Sequence, residues 1–160
     1  MYDFRPDAAQ SKPEVYQALA DAAAAIVEGE PDGIANMANL AALVWQFVPA
    51  LNWAGFYRVV EGELVLGPFI GKPACIRIPF GQGVCGTTAA RGKTLCVADV
   101  HAFPGHIACD AQTRSELVVP VLSNKKVIAV IDLDSPEPAR FDSDDVDGME
   151  AVARIAATAI

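Results

Sequence analysis

The stretch SELVVPVLSNKKVIAVIDLD, residues 115–134, decides the fold class of this chain. Two runs rich in valine, leucine and isoleucine flank the polar tripeptide at 124–126, a pattern typical of a β-hairpin. Upstream, WAGFYRVV and ELVLGPF flank Glu61-Gly62 and predict a second hairpin. Strands joined by such short turns pair antiparallel, so we expect an antiparallel sheet.

Shorter segments complete the predicted sheet and surround it with helices. ACIRIPF (74–80) and TLCVADV (94–100) predict two more strands, which gives about six in all. Apolar residues at helical spacing predict helices after Ser11, through 37–47 and over 141–160, and GQGVCGTTAARGK predicts a short turn or helix. The sequence therefore predicts one α+β domain over residues 1–160, with N-terminal and C-terminal helices flanking the sheet.

The composition narrows the classes of function that remain. Apolar residues make up 52% of the 160 residues, which favours a packed core over disorder. The formal net charge is −8 and no basic cluster occurs, so nucleic acid and anionic membrane surfaces are poor partners. No run of 18 apolar residues and no signal-peptide core occurs, so we expect a cytoplasmic protein without a membrane span.

Four cysteines carry the clearest chemical signal. No C-x-x-C occurs, so neither a zinc ribbon nor a thioredoxin motif fits. Cys96 alternates within a predicted strand, and we expect it in the core. Cys75, Cys85 and Cys109 lie beside Gly-rich or Pro-rich loops, which favours a thiol–disulfide cycle over inert packing.

Acidic and aromatic residues interrupt the same strands. Glu116 precedes the run LVVPV, and Asp132 and Asp134 are two residues apart, hence on one face of a strand. Trp53 and Tyr57 alternate on the first strand. A solvent-facing strand end and ordinary core packing explain these residues simply. A pocket with acids for a cation and an aromatic wall for an apolar group is the functional alternative.

Five stretches together resemble the free methionine-(R)-sulfoxide reductases, enzymes built on a GAF domain. They are NWAGFY (52–57), GPFIGKPACIRIPFGQGVCG (67–86), DVHAFPGHIACDA (99–111), SELVVPV (115–121) and VIDLDSP (130–136). The resemblance implies that Cys109 is the catalytic nucleophile. It also implies that Cys75 is the resolving cysteine and Cys85 an auxiliary resolver.

The resemblance implies a substrate site and a reaction as well. Glu116, Asp132 and Asp134 correspond to the family's substrate-binding acids, and Trp53 and Tyr57 to its aromatic pocket. The expected reaction reduces free L-methionine-(R)-sulfoxide through a sulfenic acid on cysteine and an intramolecular disulfide. The expected reductant is an external dithiol such as thioredoxin, with no bound cofactor and no metal. Whether the chain forms a homodimer is left open.

Two other functions remain open at this point. The first is a GAF module that senses a small ligand without catalysis. The second is a metal site, because His101, His106 and Cys109 follow the spacing H-x4-H-x2-C that borderline metals accept.

Overall fold

The fold is an antiparallel sheet with helices on both faces, as the sequence predicts. The computed structural model describes residues 4–7, 9–105 and 110–160. In chain order the elements are α1 (Lys12–Val27), α2 (Gly33–Phe47), β1 (Trp53–Val60), β2 (Glu63–Gly71), β3 (Arg77–Pro79), α3 (Gly83–Arg91), β4 (Leu95–Val97), β5 (Ser115–Ser123), β6 (Lys126–Ser135) and α4 (Ser143–Ala156). The α+β class is confirmed.

The sheet of the described residues has six strands in the order β3-β2-β1-β6-β5-β4, and neighbouring strands pair antiparallel. Both predicted hairpins are present. Their turns place Glu61 and Gly62, and Asn124 and Lys125, at positive φ, the conformation that two-residue hairpin turns require. The hairpin at 115–134 supplies β5 and β6, two of the four inner strands of the sheet.

Short-range hydrogen bonds mark the start of each long helix. Helix α1 begins after Ser11 as predicted, whereas α2 begins at Gly33, ahead of the predicted segment 37–47. Glu14 accepts from both the backbone N–H and the hydroxyl of Ser11, which closes the capping box of α1. The Asp32 carboxylate accepts from two backbone N–H groups at the start of α2. Asp142 does the same for α4.

Strand alternation divides the interior into two cores. On one face of the sheet, α1, α2 and α4 cover the larger core, which includes Phe56, Leu117 and Ile131. On the opposite face, α3 and the loops beside it cover a smaller core that includes Trp53 and Tyr57. A period of two along each strand separates the two sets. The smaller core lies on the face where the predicted site residues are found.

At the edge of the sheet, one predicted strand is present but shorter than expected, and one prediction of burial was wrong. The segment 94–100 forms only three residues of strand, and Val100–Ala102 forms a 3-10 turn instead. Cys96 is exposed and not a core residue. It pairs with Leu117 and faces the helical layer, but β4 is the last strand of the sheet and has no outer neighbour to cover it. Alternation on an edge strand therefore overestimates burial.

None of the helices in the described part of the chain is both long and apolar enough to cross a membrane.

Candidate functional site

Strand register gathers five of the predicted site residues on one face. Asp134 lies opposite Trp53 on one side and opposite Glu116 on the other. Asp132 lies two residues along the same strand and so shares that face. Together with Tyr57, these residues line one pocket in the smaller core. The acidic and aromatic residues thus line a pocket, which supports the functional interpretation of their pattern.

Helix α3 closes the pocket over the acids. A Cβ at Gly86 would lie 2.3 Å from the carbonyl oxygen of Pro79, so only glycine permits this approach of α3 to β3. The close approach brings Cys85 to the pocket wall, with its Sγ 3.9 Å from Oε1 of Glu116. Cys85 is buried and is a free thiol.

Burial raises the pKa of four side chains that line the pocket: Glu116, Asp132, Asp134 and Cys85. Burial raises the pKa of Glu116 well above its ordinary value, and the neighbouring Asp132 and Asp134 carboxylates raise it further. Burial likewise raises the pKa of Asp134, and it raises the pKa of Asp132 to about 7. The pKa of the Cys85 thiol is raised by burial and by the same carboxylates. The pocket can therefore hold protons at neutral pH.

The two aromatic residues anchor the loop that carries Cys75. The indole Nε1 of Trp53 donates to the carbonyl of Lys72 at 3.1 Å, and the Tyr57 hydroxyl donates to the carbonyl of Cys75 at 3.0 Å. Trp53 also stacks on Phe69, with ring centroids 5.2 Å apart. The rings thus fix the backbone of residues 72–75 at the pocket in addition to forming its wall.

The cysteines differ in their covalent state. Cys75 is disulfide-bonded, whereas Cys85 and Cys96 are free thiols. Cys109 and His106 lie outside the described residues, so the predicted nucleophile and the predicted H-x4-H-x2-C metal site remain predictions. His101, the remaining residue of that pattern, lies exposed in the 3-10 turn.

A polar network that sequence reasoning missed borders the site. Lys72 pairs with Asp110 at 3.2 Å and donates to Gln112 at 2.8 Å. Asn52 donates to both Asp110 and Thr113. The network joins the loop before Cys75 to the segment after residue 109. In the sequence, Lys72 lies shortly before Cys75 and Asp110 directly follows Cys109. A charged residue near a loop cysteine is too common to predict such a network.

The segment predicted as a short turn or helix forms α3, and its first turn borders the pocket. Its N-cap residue Gln82 makes no side-chain capping bond, and Gln82, Gly83 and Val84 line the pocket. The N–H groups of a first helical turn have no partner within the helix. The pocket therefore has acidic groups on the sheet and backbone N–H donors at the helix end.

Comparison with known proteins agrees with this architecture. The profile of the GAF domain family matches residues 14–160. Free methionine-R-sulfoxide reductase of Escherichia coli is 45% identical over 139 residues, covering 87% of this chain and 84% of that protein. The enzyme of the same name from Saccharomyces cerevisiae is 41% identical over 153 residues, covering 91% and 85%. The X-ray structure of free methionine-R-sulfoxide reductase from Neisseria meningitidis with its substrate superposes with a TM-score of 0.94, at 41% identity, covering 99% of this chain and 95% of that one.

Proposed function

This chain belongs to the GAF domain family and, within it, to the free methionine-R-sulfoxide reductases, and from that premise we propose that it reduces free L-methionine-(R)-sulfoxide to methionine. One observation of the molecule itself carries the proposal. Two buried carboxyl groups and the half-buried carboxyl of Asp134 lie in one pocket with two aromatic rings, and the loop of a disulfide-bonded cysteine is anchored to those rings.

The acids supply the proton that the reaction needs. A sulfoxide sulfur is a poor electrophile until its oxygen accepts a proton or a strong hydrogen bond. Glu116 and Asp134 lie directly opposite each other in the sheet, and burial raises the pKa of both. The Asp132 and Asp134 carboxylates raise the pKa of Glu116 further, and those of Asp132 and Asp110 do the same for Asp134. We assign the activation of the sulfoxide oxygen to this pair.

Cys109 is the proposed nucleophile. Its thiolate attacks the sulfoxide sulfur while the oxygen takes up a proton, and methionine leaves with the cysteine as a sulfenic acid. Cys75 then attacks the sulfenic sulfur, which forms a disulfide and releases water. The disulfide state of Cys75 supports its role as the resolver. Cys85 is buried with a raised pKa, so it is at most a slow auxiliary resolver.

Recognition of the free amino acid follows from the charges at the two sides of the pocket. The buried Asp132 oxygen Oδ1 has no hydrogen-bond partner among the described residues and can accept from the substrate ammonium. The first turn of α3 presents backbone N–H donors suited to the substrate carboxylate. Trp53 packs against the S-methyl end. A methionine sulfoxide residue inside a polypeptide has neither charge, so it lacks both contacts.

An external dithiol, for which we propose thioredoxin, restores the enzyme by disulfide exchange. This cycle needs no bound cofactor and no metal. We place it in the cytoplasm, where such reductants keep thiols reduced. A homodimer is compatible with the proposal, because every assigned group belongs to one chain.

Turnover with four substrates tests the proposal. NADPH oxidation is followed with thioredoxin and thioredoxin reductase, using free and peptide-bound methionine sulfoxide as separate R and S isomers. We expect turnover with the free R isomer and at least a hundredfold less with the other three. Absence of turnover, together with tight binding of another small molecule, would instead favour a sensor module.

A further inference from the structure

The same pocket brings three metal-ligating side chains together, and two of them, Glu116 and Asp132, are also used in the proposed reaction. Cys85, Glu116 and Asp132 each offer one ligand atom, and these atoms all lie within 4.8 Å of one another. We propose that the three side chains form a binding site for a divalent cation of the Zn²⁺ class, and that the bound cation excludes the substrate. The binding step is independent of the proposed function; only the exclusion of substrate rests on it.

The spacing of the ligand atoms suits a tetrahedral ion. Bonds of about 2.3 Å to sulfur and about 2.0 Å to oxygen, at a tetrahedral angle, place the two ligand atoms roughly 3.5 Å apart. The Cys85 Sγ and the Glu116 Oε1 are 3.9 Å apart, so an adjustment of a few tenths of an ångström closes the site. All three residues are buried, on strands and a helix, and not on mobile surface loops.

An unsatisfied acceptor points to a missing cationic partner. The Asp132 residue is only 6% exposed, and its Oδ1 is buried without a hydrogen-bond partner among the described residues. A buried carboxylate oxygen in that state costs free energy, which a bound cation or the substrate ammonium removes. Repulsion among the neighbouring acids adds to this cost, and a double positive charge offsets it.

The mixture of ligand atoms selects the kind of metal. A thiolate sulfur is a soft ligand that favours Zn²⁺, Cd²⁺ or Co²⁺, whereas Mg²⁺ and Ca²⁺ require a shell of oxygen atoms. Three protein ligands leave the fourth position facing the pocket, where water completes the tetrahedron. The chemical class is therefore a borderline transition-metal ion.

The redox state of the enzyme does not block this site. Cys85 is a free thiol while Cys75 is disulfide-bonded. The oxidised enzyme therefore keeps its metal ligands but has lost the reduced Cys75 thiol. Metal binding can be measured in this form without added thiols, which would themselves chelate the metal.

Titration of the oxidised protein with Co²⁺ tests the site, because a cobalt–thiolate bond gives a charge-transfer absorption band. We expect one Co²⁺ per chain, loss of the band in Cys85→Ser, and at least tenfold weaker binding in Asp132→Asn. Cys96→Ser is the matched control, since it removes the other free thiol. It should bind as the wild type does.

The double variant Cys75→Ser/Cys109→Ser separates this site from the loop cysteines, and it should also keep the band. The proposal is overturned if wild type gives no band, if the band survives Cys85→Ser, or if it is lost in the control or the double variant. Thermal melting of each variant verifies that it is folded. If Cys85→Ser does not fold, the weaker Co²⁺ binding expected of Asp132→Asn tests the site instead.

Competition tests the exclusion of substrate. The oxidised enzyme cannot turn over, so free methionine-(R)-sulfoxide at ten times its dissociation constant should raise the apparent Co²⁺ dissociation constant about tenfold. Glycine at the same concentration corrects for chelation of Co²⁺ in solution. Unchanged Co²⁺ affinity, relative to glycine, would overturn exclusion. The cobalt titration does not depend on turnover in the coupled assay. Failure of the proposed reductase activity can therefore be distinguished from failure of the proposed metal site.

Discussion

Cys75 and Cys85 belong to the same apolar cluster, yet their surroundings give the two sulfur atoms different reactivity. Burial raises the pKa of Cys85, and the neighbouring Asp132 and Glu116 carboxylates raise it further, so its thiolate is disfavoured. Cys75 lies on a loop that Tyr57 holds by its carbonyl, and it already forms a disulfide. The difference argues that the loop cysteine performs the exchange chemistry.

Replacing Cys75 should therefore separate the first half of the cycle from the second. Cys75→Ser should release about one equivalent of methionine per enzyme in a single turnover and then recycle at least tenfold more slowly with thioredoxin. Quench-flow detection of methionine, followed by the coupled assay, measures both steps. Cys85→Ser is the matched comparison. Normal recycling by Cys75→Ser, with loss of recycling in Cys85→Ser, would reverse the two roles.

The buried carboxyl of Asp132 should destabilise the fold at neutral pH. Its pKa is raised to about 7 in the folded protein, so the folded state binds the proton more tightly than the unfolded state. The resulting stabilisation is present below about pH 4 and is lost as the pH rises through about 7. Asp132→Asn, which needs no proton, should gain stability over wild type across that range, roughly 4 kcal/mol at pH 8.

Urea unfolding at pH 4, 6 and 8 measures this gain. Asp147→Asn is the control, because Asp147 is exposed on α4, and its effect should stay within about 0.5 kcal/mol. A difference between Asp132→Asn and wild type that does not grow with pH would contradict the assigned burial of the charge.

Among the secondary-structure elements, the docking of α3 on β3 determines the shape of the pocket. Gly86→Ala would place a methyl group 2.3 Å from the Pro79 carbonyl oxygen, an overlap with backbone that cannot be relieved by a side-chain rotation. We expect a destabilisation of roughly 2 kcal/mol. We also expect KM to rise severalfold, because the first turn of α3 moves with the helix.

Steady-state kinetics and urea unfolding test this expectation. Ala90→Ser, an exposed change on the same helix, is the control and should leave both KM and stability nearly unchanged. A Gly86→Ala variant with wild-type KM would show that α3 does not shape the substrate site.

The elements also show why some of the site was predictable and some was not. Alternation and hairpin turns in the sequence placed Asp132 and Asp134 on one face, and pairing with β5 then brought Glu116 beside them. Alternation cannot report where a sheet ends, so Cys96 was wrongly expected in the core. The contacts of Lys72 with residues 110 and 112 join loops far apart in sequence, and local patterns carry no information on such pairs.

In the whole molecule, the two faces of the sheet have different roles: one carries the larger core and the other carries the pocket. On the face covered by α1, α2 and α4, the Asp145 carboxylate is fully buried and joins α1 to α4. It accepts from Tyr16 at 2.7 Å, and it pairs with Lys12 and Arg140. A fully buried carboxylate with two cationic partners is costly to leave incomplete. None of these residues lines the pocket that contains Glu116.

Tyr16→Phe should therefore lower stability without changing the chemistry. Losing a buried hydrogen bond to a charged group costs about 1.5–3 kcal/mol, so the urea midpoint should fall. The kcat/KM value in the absence of urea should stay within a factor of two. Gln17→Ala, exposed on the same helix, is the control for both measurements. A large loss of kcat/KM in a folded Tyr16→Phe variant would show that the faces are coupled.

The proposed cycle depends most on Cys109, whose sulfur takes the sulfoxide oxygen. The direct measurement is a single turnover of prereduced enzyme with free methionine-(R)-sulfoxide and no external reductant, in which released methionine and consumed thiols are both counted. We expect about one equivalent of methionine and the loss of two thiols in the wild type, and no methionine from Cys109→Ser. Stoichiometric release of methionine by Cys109→Ser would contradict the account.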